Sequence, residues 1–128
     1  MLKTTSKELT PDVLIVMTKG GEDRPRMFSG LTIALMTALT GKKVVVFTML
    51  SGIDVVQRKF GDTQLDGHPK LSDLVSQVLD TSSVRMLACG NTCDSMNVSD
   101  GDLYTGVEKC DALGFVNLMT HAERVLTL

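Results

Sequence analysis

The sequence predicts an α/β protein: a three-layer α/β/α sandwich around a mainly parallel sheet of about five strands. Three observations carry that expectation. Short runs that are apolar on both faces recur along the chain, as parallel strands covered by helices on each side require. Between these runs lie stripes of apolar residues at helical spacing. The 128 residues suit a single domain, 1–128, long enough to bury a core without disulfide or metal staples.

After a polar lead, Asp12–Thr18 is the first apolar run, Lys43–Met49 the second and Val84–Ala88 a shorter third. The first helix falls between the first two runs. Asp23 or a neighbour caps it, Pro25 suits its first turn and Gly41 its end. Met27, Leu31, Ala34, Leu35, Ala38 and Leu39 form its stripe, while Ile33 and Met36 lie off it and point to a second apolar face against another subunit. Phe60–Lys70 reads as a polar loop, either a lid or an exposed connection. Leu71, Leu74, Val75, Val78 and Leu79 make the second helix, with Ser72 or Asp73 near its start. Asp111 is placed to cap a third, with Ala112, Phe115, Val116, Met119 and Ala122 on one side. Short strands near Gly106–Lys109 and at Arg124–Thr127 complete the set.

Composition narrows the function. With 43% hydrophobic and 22% charged residues the chain reads as globular, not disordered. A net charge of −2, no Trp, four Phe and one Tyr argue against nucleic-acid binding by a basic, stacking face. No apolar run approaches the roughly 20 residues of a membrane span, and the start MLKTTSKELTPD lacks a signal peptide's apolar stretch. Three cysteines are an odd and sparse set for a secreted scaffold. The expectation is a cytoplasmic protein with reduced thiols and no membrane or nucleic-acid partner.

In open parallel sheets chemistry gathers at the carboxyl ends of the strands. That rule singles out the loops Lys19–Glu22, Leu50–Ile53 and Cys89–Cys93. The first, Thr18-Lys-Gly-Gly-Glu-Asp23, matches neither G-x-G-x-x-G nor the P-loop, and two acidic residues would repel a phosphate. It reads as a plain turn. Cys89 falls directly after the third run, followed by small polar residues, and Cys93-Asp-Ser-Met starts a short helix. A thiol above a helix N-terminus meets free amides and a positive dipole end, and both favour thiolate over thiol. The other reading is that Cys89 is a small buried apolar residue. Cys93 stands four positions on, so the pair is not the thioredoxin-type C-x-x-C, and a disulfide between them depends on their Cα spacing. Cys110 follows the fourth predicted strand and precedes Asp111; it could reach the same edge of the sheet, but reads first as structural. A closed zinc site needs four ligands. His68 and His121 read as surface residues, so no metal and no cofactor is expected. No G-x-S-x-G is present to support a hydrolase.

The helix Leu31-Thr-Ile-Ala-Leu-Met-Thr-Ala-Leu-Thr-Gly41 is followed by Val44–Phe47 and then Gly52-Ile53. Next come Ala88-Cys89, Gly106-Val-Glu108 and a last helix and strand. In the order and spacing of these parts the chain resembles the DsrE/DsrF-like family of small sulfur-relay proteins, from about Val13 to Leu128. The resemblance implies a parallel α/β sandwich that assembles into trimers or hexamers. It further implies that Cys89 carries sulfane sulfur, or thiosulfate as in some branches, and exchanges it with small partners such as TusA-like carriers. Where the family places Gly before an aliphatic residue, this chain has Asn97-Val98; Asn tolerates the left-handed backbone such a turn uses. Cys93 resembles the second cysteine of paired-cysteine members.

The leading expectation is therefore a sulfur carrier, of sulfurtransferase type, with Cys89 and Cys93 as its catalytic residues. Cys89 holds a persulfide or thiosulfonate, and Cys93 steadies the bound sulfur or resolves it. Attack on sulfur needs access and a suitable pKa more than an acid–base pair, so the lack of a catalytic His is no objection. Two alternatives stand beside it: a thiol redox switch formed by Cys89 and Cys93, and a non-catalytic oligomeric binding module with inert cysteines.

Overall fold

The computed structural model describes residues 10–128; the polar lead, residues 1–9, lies outside the described residues. Five strands run parallel in the order β4-β3-β2-β1-β5. They are β1 (Val13–Met17), β2 (Val44–Thr48), β3 (Val84–Cys89), β4 (Glu108–Cys110) and β5 (Arg124–Thr127). The three apolar runs are the three central strands. Consecutive residues point to opposite faces, and here both faces are covered. Ile15, Met17, Val44, Val46, Val84, Met86 and Ala88 pack with α1 (Arg24–Leu39) and α2 (Leu71–Leu79). Leu14, Val16, Val45, Phe47, Leu87 and Cys89 pack with Leu118 and Phe115 of α4 (Ala112–His121). The result is the expected three-layer sandwich.

The two layers are unequal. Twenty-one buried residues fill the layer under α1 and α2, and eight fill the one under α4. At about 1.5–3 kcal/mol for each large apolar side chain fully buried, the first layer supplies most of the fold's driving force. The second is the thinner, and the site lies beside it.

Helix termini follow the sequence signals. The Asp23 carboxylate accepts from Arg26 N at 3.2 Å, Pro25 occupies the first turn of α1, and Gly41 takes a φ of 87° just past its end. The Asp111 carboxylate accepts from Gly114 N at 2.8 Å and caps α4. Met27, Leu31 and Ala34 of the α1 stripe are buried, whereas Leu39 at its end is 86% exposed, as are Ile33 and Met36 in lesser degree. Phe60–Lys70 is a connection packed on the α1 side, with His68 against Phe28 at 5.4 Å between ring centroids and Leu65 on the core.

Two expectations are corrected. The fourth strand begins at Glu108, not Gly106. Gly106 has a φ of 104° and Val107 N donates to Tyr104 O, so residues 104–107 close a turn that delays the strand and draws Cys110 into it. On α4 the buried side chain is Leu118, with Phe115 and Ala122 partly buried, while Val116 and Met119 are exposed. Phe115 stacks on Phe47 at 4.6 Å, and this contact sets the rotation of the helix on the sheet.

Candidate functional site

The carboxyl edge of the sheet is built by three chain reversals. After β2 the chain enters a 3-10 helix, Leu50–Val56, whose Gly52 lies against the end of β1. Gly52 N donates to Met49 O, and a Cβ on Gly52 would overlap the carbonyl of Met17, so only glycine fits. Leu50 adopts a φ of 54°, a left-handed conformation that a branched side chain rarely takes. Its amide donates to the Thr92 hydroxyl oxygen at 3.2 Å, which ties the end of β2 to the turn after β3.

That turn is α3, Gly90–Ser95. It begins directly after the strand and not at Cys93, so Cys89 is at once the last residue of β3 and the N-cap of the helix. Its side chain makes no capping hydrogen bond. Asn97 takes a φ of 55° as the helix ends, the left-handed turn expected of Asn at this place.

Between these segments and the start of α4 lies a cavity of about 430 Å³, lined by Phe47, Met49, Leu50, Cys89, Asn91, Thr92, Ser95, Ala112 and Phe115. None of the nine lining side chains carries a full-charge group other than the Cys89 thiol should it ionise. Two of the three loops singled out from sequence contribute to it, and the Lys19–Glu22 loop does not. In that loop the Glu22 carboxylate accepts from Gly20 N at 2.8 Å and Asp54 accepts from Gly21 N at 3.0 Å. The Ser51 hydroxyl, then the Gly20 amide, hold the Glu22 carboxyl below its ordinary value. The Gly20 and Gly21 amides of this loop are thus occupied by the chain's own carboxylates and not open to an anion.

All three thiols are free, and they differ in surroundings. Cys89 is 9% exposed, on the α4 face, and lines the cavity. Cys93 is fully buried in the opposite layer, the one that holds Ala88, Val98 and Leu103, and burial pushes its thiol up. Cys110 is 2% exposed and shares the Cys89 layer. It pairs with Cys89 in the β3–β4 register, and burial, with Asp111 beside it, pushes its thiol up to about 11. The sequence reading brought Cys89 and Cys93 together along the chain; the fold brings Cys89 and Cys110 together across it. Phe47 and Phe115, which line the cavity, are in the sequence only members of an apolar run and a helical stripe. Their juxtaposition depends on the docking of α4, for which sequence spacing gives no signal. His68 and His121 do not line the cavity. Among the described residues no group of three or more His, Cys, Asp or Glu is placed to hold a metal ion, and no helix is long and apolar enough to cross a membrane.

Fold and site together define a parallel α/β protein with a cysteine at the carboxyl edge of its sheet, opening on an uncharged cavity. The chain belongs to the DsrE/DsrF-like family, whose model matches residues 12–128. Among solved structures it is similar to the ychN protein from E. coli, at 18% identity and a TM-score of 0.75, over 91% of this chain and 98% of that one. It is also similar to MTH1491 from Methanobacterium thermoautotrophicum, a protein of unknown function. There the identity is 23% and the TM-score 0.68, over 91% of this chain and 97% of that one. At these identities the likeness is one of fold. No curated protein matches the sequence.

Proposed function

We propose that the protein is a sulfur carrier that takes sulfane sulfur onto Cys89, as a persulfide or thiosulfonate, and hands it to a partner thiol. The observation that carries this reading is positional: of the three cysteines, Cys89 alone lines the cavity at the carboxyl edge of the sheet. Membership of a sulfur-relay-type family supports it. In the persulfide case the Cys89 thiolate attacks the sulfane sulfur of a donor RS–SH. The new S–S bond forms as the donor's breaks, and the donor leaves as a thiolate, with no net oxidation. Attack by a partner's thiolate on the same outer sulfur reverses the transfer. The lining offers no cation to pair with the permanent charge of a sulfonated adduct, which favours the smaller, protonatable persulfide.

Cys93, buried in the other layer, has the supporting role of packing α3 beneath Cys89. Three free thiols fit a reducing, cytoplasmic setting. A small carrier of the TusA-like kind is the partner the family suggests. Leu113, Val116 and Met119 on α4 and Ile33 and Met36 on α1 are exposed apolar residues that support assembly into a homo-oligomer, trimer or hexamer. The test is intact mass after incubating the reduced protein with polysulfide and removing the excess. The wild type and Cys93→Ser should gain sulfur that a reductant removes, and Cys89→Ser should gain none. Equal loading of Cys89→Ser would overturn the assignment.

A further inference from the structure

Cys89 and Cys110 are the terminal residues of adjacent parallel strands and are direct register partners. Neighbouring strands lie about 4.8 Å apart, within the Cα range of roughly 4.4–6.8 Å that a disulfide spans. Both side chains belong to the same layer, beside Phe47 and Leu118. β4 is a three-residue edge strand, so the backbone at Cys110 is held from one side only and can close the remaining gap. Cys110 does not line the cavity, so a donor entering there meets Cys89 and not Cys110. Cys93, by contrast, turns into the layer under α1 and α2.

We propose that Cys110 is the resolving thiol of this site: when sulfur on Cys89 finds no acceptor, Cys110 attacks the Cys89 sulfur and discharges it. The inference rests on the sulfur-carrier reading above. The step balances without another reagent. The Cys110 S–H gives up its proton, and its sulfur bonds to the Cys89 sulfur. The Cys89–S to outer-sulfur bond breaks, and the outer sulfur leaves with both electrons, taking up the proton as hydrogen sulfide. Two cysteines end as a disulfide and the sulfane sulfur is reduced. The Cys110 S–H currently donates to Asp111 O at 3.5 Å, and its burial disfavours the thiolate that attack requires. Resolution is accordingly slow beside transfer to a partner's exposed thiolate, and a loaded carrier survives long enough to meet one.

Two arms test this on the full chain, for the wild type, Cys93→Ser, Cys110→Ser and Cys110→Ala, each checked for folding by circular dichroism. In the first, reduced protein is treated with diamide and mapped by peptide mass without reduction. A Cys89–Cys110 disulfide is expected in the wild type and in Cys93→Ser, and in neither Cys110 variant. In the second, polysulfide-loaded, desalted protein is left without acceptor. The wild type and Cys93→Ser should release sulfide and arrive at the same disulfide, while the Cys110 variants keep their persulfide at least tenfold longer. Discharge of the Cys110 variants at the wild-type rate, or a disulfide mapped to Cys89 and Cys93, overturns the inference and leaves the carrier reading standing. Absence of any added sulfur in every form overturns both.

Discussion

Replacing Cys93 by serine separates packing from chemistry at this site. The Cys93 side chain is fully buried beside Ala88, Val98 and Leu103 in the larger core layer. A hydroxyl in its place is a far stronger donor and acceptor than a thiol, and leaving one unsatisfied costs about 1–3 kcal/mol. As the fourth residue of α3, a serine here can bond the carbonyl one turn back. That relief sets the expected loss at about 1–2 kcal/mol. For a chain of 128 residues this is a fall in Tm of about 3–10 °C. Urea titration reads the stability, and intact mass after polysulfide treatment, well below the variant's Tm, reads the chemistry. Cys93→Ala, which adds no polar group, serves as the control for lost volume. The expected result is lower stability with full loading. Undiminished stability together with lost loading would refute the reasoning, because Cys93 would then be acting on sulfur and not on packing.

Other consequences follow from the same geometry. An unfolded Cys110 ionises near 9.0, but burial first and Asp111 second hold the folded thiol protonated to about 11. The folded state therefore binds the extra proton in that window. Its contribution to stability is complete below pH 9.0 and is lost as pH rises towards about 11. The slope approaches about 1.4 kcal/mol per pH unit, and urea titration across the window should show it flattened in Cys110→Ala. Leu50 is 56% exposed with a φ of 54°, so Leu50→Gly should be more stable than Leu50→Ala by about 1 kcal/mol in denaturant titration. Gly52→Ala forces a Cβ into the Met17 carbonyl and should cost more than about 2 kcal/mol by the same assay, with the cavity mouth disturbed.

The central strands and the first two helices were legible because burial on both faces leaves a continuous apolar run in each of β1, β2 and β3, and a helical stripe in α1 and α2. Capping at Asp23 and Asp111 was equally plain, since an acidic side chain at the N-cap answers a fixed need for acceptors. The edges were less so. β4 has two exposed residues and one buried, and its start is set by the turn at Gly106, whose left-handed backbone a short window does not reveal. α4 carries apolar residues around much of its girth, with Leu113, Val116 and Met119 outward and Leu118 inward, so a single stripe could not fix its rotation. Cys89 was visible as a strand-end cysteine. Its pairing with Cys110 was not, because strand order decides it and twenty residues of intervening chain say nothing of which strands are neighbours.

The account rests most directly on where sulfur attaches. Peptide mapping of the polysulfide-loaded, desalted wild type, with free thiols blocked before digestion, measures this in one experiment. The account predicts the added, reductant-labile sulfur on the peptide containing Cys89, with Cys93 and Cys110 unmodified in the folded protein. Added sulfur found on Cys93 or Cys110 while Cys89 remains a free thiol would contradict it.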